Sequence, residues 1–254
     1  MLTKLLNSSA ITTGQVISRS LRTGPICLVA SILCCQPVMA HDADSRETNL
    51  GSQWWQFMSS IPAFENPLLD QTGAKCLVGQ RGDIWFLGGL MGVTPEGEVA
   101  QGGGVVTRNC SIPQGKKLFF PVINSVVFDS PDICGQGSDS FSYEDMREQV
   151  SNQTDAAIDM KVTLDGREVR NLKRFRPQPI DISLPENSAW DALCRAFDLG
   201  GVPAGIYAGT QDGYYLTLNP LPVGQHQLKI HGALKPPNEF TLDIVYNLNV
   251  VAVP

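Results

Sequence analysis

Three groups of residues in this chain could do chemistry, and each asks for a different partner. The densest is REVRNLKRFR, which places Arg167, Arg170, Lys173, Arg174 and Arg176 within one short stretch of an otherwise acidic protein. Planar guanidinium groups bind carboxylate, sulfate or phosphate oxygens in pairs, so this cluster would suit an anionic glycan or a lipid headgroup. The second group is the loop NSVVFDSPDICGQGSDS, where Asn124, Asp129, Asp132 and Asp139 offer hard oxygen ligands. Such ligands at irregular intervals could hold calcium, although the spacing and terminal glutamate of an EF-hand are missing. The third is histidine, of which there are only His41, His226 and His231. Imidazole and amine nitrogens suit Cu(II). His226 and His231 lie five apart on one predicted strand and so face opposite sides of it. That leaves His231, on the polar side, as the one able to join His41 on a copper ion.

Other catalytic patterns are missing. There is no Gly-x-Ser-x-Gly elbow and no His-Glu-x-x-His, the signatures of a serine hydrolase and a zinc protease. A carboxylate pair for glycoside hydrolysis is set by the fold rather than by spacing, and Glu65, Asp70 and Asp83 lie nearest the tryptophans in sequence. The tripeptide Arg81-Gly82-Asp83 immediately precedes a predicted strand and reads as a turn. Trp54 and Trp55 could form a sugar-stacking platform. Adjacent helical side chains point about 100° apart, so at most one should face a ligand, and core packing is the simpler expectation.

Whether His41 matters depends on where the working chain begins. Residues 1–40 carry Lys4, Arg19 and Arg22 with no acid, then the apolar run Ile26 to Cys35, then Val38 and Ala40 at the −3 and −1 positions of a small-residue cleavage site. This is the pattern of a secretory signal, and the apolar run is too short for a bilayer span, which takes about 20 residues. Cleavage would leave His41 first. An N-terminal histidine completed by a second one resembles the copper brace of lytic polysaccharide monooxygenases and periplasmic copper carriers. A brace needs its first residue held rigidly, and HDADSRETNLGS, residues 41–52, has almost nothing to pack. It reads as a flexible segment.

Without residues 1–40, 16 Lys and Arg face 25 Asp and Glu, a formal charge of −9. Such a balance argues against nucleic acid and anionic membrane surfaces, which need a cationic face. Cys27, Cys34 and Cys35 leave with the signal, and four cysteines remain. An even number in an exported chain implies disulfides. Of three pairings, Cys76 with Cys110 and Cys134 with Cys194 is favoured, because the first pair flanks one strand-turn-strand stretch. No two of the four are close enough in sequence for a zinc site.

The elements that must carry these residues read mainly as β. In SQWWQFMSSIP, Trp54, Met58 and Ile61 make a helical stripe that Pro62 ends. DIWFLGGL and KKLFFPVINSVVF are apolar on both parities, as in strands covered on two sides. GVTPEGEVAQGGG between them is a surface loop. Ser142 and Asp145 form a capping box at the start of a short helix. MKVTLDGREV is a hairpin turning at Asp165-Gly166. YYLTLNPLPVGQHQLKIHG predicts two strands about a Pro/Gly turn, with His226 inward among Leu228 and Ile230. FTLDIVYNLNVV predicts a long half-buried strand, its apolar residues on one parity. Together these argue one disulfide-stapled domain over 53–254: an antiparallel β-sandwich, Ig-like or jelly-roll, with one or two short peripheral helices.

The segments WWQFMSSIP, NPLLDQTGAKC, GQRGDIWFLGG and DGYYLTLNPLPVGQHQLKIHG resemble a group of secreted bacterial proteins with no established activity. The resemblance covers most of the chain after residue 40 and implies export and a β-rich fold. The expectation is an exported or periplasmic binding protein, not an enzyme, with its ligand at Arg167 to Arg176 and no resident cofactor. A copper protein using His41 and a hydrolase are the alternatives.

Overall fold

A computed structural model describes residues 50–100, 104–236 and 240–252. The chain is mainly β. In order it forms helix α1 (Leu50–Ser59), strands β1 (Ile84–Phe86), β2 (Val106–Pro113) and β3 (Lys117–Phe128), and helix α2 (Tyr143–Asp155). Strands β4 (Ala157–Leu164), β5 (Arg167–Glu168), β6 (Lys173–Phe175) and β7 (Pro179–Leu184) follow, then helix α3 (Ala189–Ala196) and strands β8 (Gly205–Leu218), β9 (Gly224–Leu234) and β10 (Phe240–Val251).

The strands make two five-stranded sheets. In the first, β1, β3 and β8 lie side by side, and β6 and β7 share the far edge of β8. In the second the order is β2-β10-β9-β4-β5. Both sheets are mixed, which corrects the wholly antiparallel expectation: β1 pairs β3, and β2 pairs β10, in parallel. Alternating burial reports which face a residue takes and carries no information about the direction of the neighbouring strand. Sequence patterning therefore could not reveal this.

One apolar cluster joins the sheets. Leu118, Phe120, Val122, Leu216 and Leu218 of the first sheet meet Ile112, Val162, Leu228, Ile230, Ile244 and Leu248 of the second. The opposite face of the first sheet, with Phe119, Tyr215, Ile180 and Ile182, packs against Trp54, Trp55 and Met58 of α1. Coverage on both sides accounts for the continuous apolar run of β3. The second sheet is covered on one side only, so β10 alternates instead, with Leu242, Ile244, Tyr246, Leu248 and Val250 buried.

Local signals act as their chemistry requires. Ser142 and Asp145 close the capping box of α2 in both directions. Asp165 and Gly166 take φ of 51° and 77° and join β4 to β5, the left-handed pair that a two-residue hairpin needs. Two expectations are corrected. The described residues form three α-helices, α3 being unforeseen; Ser188 caps it by accepting from the Asp191 amide. Residues 50–52, placed in the flexible segment, form the buried first turn of α1. Gly51 makes this fit, because a Cβ there would stand 3.0 Å from Gln211 Nε2. Residues 1–49, including the proposed signal, lie outside the described residues. Cys76 pairs with Cys110 and Cys134 with Cys194. No described helix is long and apolar enough to cross a membrane.

Candidate functional site

A cavity forms where strand pairing stops. β1 pairs β3 only from Lys117 to Phe119, and the Phe119 carbonyl accepts from the Leu87 amide at 3.0 Å. Past that point no described strand pairs this edge of β3. Pro121 has no N–H to offer at this edge, and on the opposite edge the pairing of β3 with β8 shifts register between Pro121 and Ile123. Residues 121–126 then line a space of about 330 Å³. Trp54 and Trp55 of α1 with Leu68 form one wall, and Trp190 and Leu193 of α3 extend it. Gly89, Leu90 and Met91 close a second side, and Leu234, Phe240 and Leu242 from β9 and β10 a third. Asn124, Ser125 and Gln153 are the polar residues of the described lining.

Three of the four tryptophans of the chain meet here. Trp54 and Trp55 stand edge to face with ring centres 4.9 Å apart, and Trp55 lies 5.8 Å from Trp190. Trp54 Nε1 donates to the Leu87 carbonyl at 2.9 Å and Trp190 Nε1 to Ser59 Oγ at 3.2 Å. Trp55 Nε1 is buried near the Tyr215 hydroxyl without hydrogen-bond geometry. Core packing, the simpler expectation for Trp54 and Trp55, holds, and both residues also border this space. Both rings are long enough to converge on one space although their Cβ atoms diverge, and both are also core residues, 0% and 6% exposed.

The hydrogen bonds behind Asn124 run in one direction. Gln211 Nε2 donates to the Phe175 carbonyl at 3.5 Å, Tyr215 Oη donates to Gln211 Oε1 at 2.8 Å, and Asn124 Nδ2 donates to Tyr215 Oη at 3.2 Å. Burial pushes the Tyr215 phenol well above its ordinary value, so it stays protonated. Ser125 Oγ donates to Gln153 Oε1. None of the described lining residues carries an ionisable side chain.

The residues singled out by sequence lie elsewhere, and the basic cluster does not form one site. Arg167 and Arg170 are exposed beside the second sheet, where Arg170 pairs with Glu168 at 3.3 Å. Lys173 and Arg174 belong to β6 in the first sheet, and Arg176 is exposed just beyond it. Arg174 turns inward: its Nε and Nη2 meet the fully buried carboxylate of Asp212 at 2.9 and 2.7 Å. Asp212 raises the Arg174 guanidinium further, against the opposing effect of burial and with help from Asp155 of α2. Ser151 of α2 also donates to Asp212 at 3.2 Å. Arg174 therefore fastens α2 to the sheet.

A glutamine bridges the acidic loop. Buried Gln136 donates to Asp129 Oδ1 at 2.7 Å and to the Asp139 carbonyl at 2.9 Å, and the Phe141 amide also donates to Asp129 Oδ1. Asp132 takes φ of 61° in the turn before Cys134. No cluster of three His, Cys, Asp or Glu able to hold a metal occurs among the described residues. His41 lies outside them. His231 Nδ1 contacts Asp243 at 2.8 Å, and His226 sits between Asp165 at 2.8 Å and the Pro222 carbonyl at 3.0 Å. Asp70 accepts from the Lys75 and Thr72 amides; burial opposes its ionisation, but these bonds win and hold it below its ordinary value. It shapes a turn, while Glu65, Arg81, Gly82 and Asp83 are exposed.

No protein-family model matches the chain, and no curated protein matches it. A solved structure, the solution structure of amebosin, is 9% identical, covers 58% of this chain and 100% of its own, and has a TM-score of 0.14. That value carries no argument about fold or function.

Proposed function

We propose that this is an exported binding protein, not an enzyme, whose site is the cavity along the free edge of β3 and whose ligand is a small, uncharged, largely apolar molecule. One observation carries the reading: the described lining combines three tryptophans with aliphatic side chains and no ionisable group. A space of about 330 Å³ falls within the range of small-molecule sites, roughly 300–1,000 Å³. With no ionisable side chain among the described lining residues to act as acid or base, the reading favours holding a ligand over transforming it. Export is supported by the pattern of residues 1–40 and by two disulfides, which persist in oxidising compartments. The two sheets and their shared core fit a sandwich, the rigid frame on which such a cavity can be kept open.

Naphthalene is a suitable probe, because energy transfer from tryptophan reports its approach. Saturable transfer is expected in the wild type and its loss in Gly89→Leu. A Cβ at Gly89 meets Pro121, Leu68 and Trp54 only at 3.7–3.9 Å, so the larger side chain should enter the cavity without breaking the wall. Absence of saturable binding by the wild type would refute the reading.

A further inference from the structure

We infer that the ligand of this cavity is a short, extended, apolar peptide, which adds to the free edge of β3 as a strand and sends successive side chains to the two sides of the sheet. The inference rests on the reading of the cavity as a ligand site and names the ligand class. Its basis is the direction of the β3 main-chain groups. The Asp129 amide donates to the Ala208 carbonyl at 2.8 Å, which continues the antiparallel register in which Phe128 lies opposite Gly209. Opposed residues in such a ladder alternate between pairs that exchange hydrogen bonds and pairs that do not. Counting back from Asp129, Ser125 and Val127 turn their N–H and C=O groups to β8, and Asn124 and Val126 turn theirs to the other edge. β1 holds that edge only as far as Phe119, whose carbonyl accepts from Leu87. The main-chain N–H and C=O of Asn124 and Val126 have no hydrogen-bond partner among the described residues, and both residues border the cavity.

The walls suit the side chains of such a strand. Trp54, Trp55 and Trp190 belong to the apolar cluster on the α1 face of the first sheet. Leu234 and Leu242 come from the second sheet, which covers the opposite face. The cavity therefore has one wall on each face of the first sheet and the unpaired edge of β3 between them. A strand laid along that edge sends alternate side chains to the two walls, and its own N–H and C=O groups answer those of Asn124 and Val126. Strand addition of this kind takes affinity from main-chain hydrogen bonds and specificity from pockets for alternate side chains. Naphthalene can occupy the same space but leaves the main-chain groups unanswered. A charged side chain would lose its hydration where no described lining residue compensates it, so the inserted residues are apolar.

The test holds the apolar side chains constant and varies the main chain, on the wild-type protein throughout. Acetyl-Leu-Val-Leu-Val-amide should displace naphthalene, read as loss of tryptophan energy transfer. Two analogues replace alternate residues, the first and third or the second and fourth, by the corresponding hydroxy acids, so that amide N–H groups become ester oxygens. Alternate residues of a strand face the same edge, so one analogue leaves the Asn124 and Val126 carbonyls without a donor and should bind at least about tenfold weaker than the peptide. In ¹⁵N-labelled protein saturated with the peptide, solvent exchange of the Asn124 and Val126 amide protons should slow by at least about tenfold. Three results each overturn the inference while the binding site stands: naphthalene binds but the peptide does not displace it, both analogues bind as tightly as the peptide, or the two exchange rates do not change. Failure of both naphthalene and the peptide to bind overturns the inference and the site together.

Discussion

Replacing Arg174 by methionine should destabilise the protein by about 3–5 kcal/mol, the range for breaking a buried ion pair from one side. The size follows from what is left behind. Asp212 is 0% exposed and would lose both guanidinium bonds, keeping only Ser151 Oγ at 3.2 Å. Its charge would then lie uncompensated beneath α2, whose tie through Asp155 would also be cut. Equilibrium unfolding in urea, with disulfides intact and m-values compared, measures the cost. The double variant Arg174→Met, Asp212→Leu should recover most of the loss, because it removes the stranded charge as well as its partner. A cost for Arg174→Met below about 1 kcal/mol, the value of an exposed pair, would refute the assignment. It would return Arg174 to the surface cluster available for anionic ligands.

Other outcomes follow from the same structure. Replacing Cys134 and Cys194 by serine opens a bridge of sequence separation 60 and should cost about 4 kcal/mol by the chain-entropy relation; naphthalene binding should weaken too, because Cys194 is on α3 with Trp190 and Leu193. The Asp165 carboxylate raises the pKa of His226 despite some burial, so this contact stabilises fully below about pH 6.5 and is lost as pH rises through the folded value. His226→Gln should abolish that part of the stability–pH slope, and an unchanged slope would count against the contact. Calcium should leave the melting temperature unchanged, since Asp129 Oδ1 already accepts from Gln136 and Phe141.

Much of the frame was legible because local chemistry decided it. The alternation of β10, the capping box at Ser142, the Asp165-Gly166 turn and the cysteine pairing each depend on spacing or on residue types that permit few alternatives. Helix α3 was also legible and was missed: Ser188 and Asp191 repeat the spacing of Ser142 and Asp145, and the cap is present. The site was not legible. Its walls come from α1, α3, β3, the β9–β10 pair and the Gly89–Met91 segment, brought together by sheet topology and by the early end of β1. The basic cluster misled for a related reason. Five cations close in sequence fall on the edges of two different sheets, and the partner of Arg174 lies 38 residues away.

Indole N–H resonances give the most direct test of the cavity as the binding site. Four tryptophans give four such signals; Trp54, Trp55 and Trp190 line the cavity, whereas Trp85 lies in the core shared by the two sheets. Addition of naphthalene to ¹⁵N-labelled protein should shift the first three together, with one dissociation constant, and leave Trp85 in place. Saturable binding that moves Trp85 alone, or moves no tryptophan, would contradict the account.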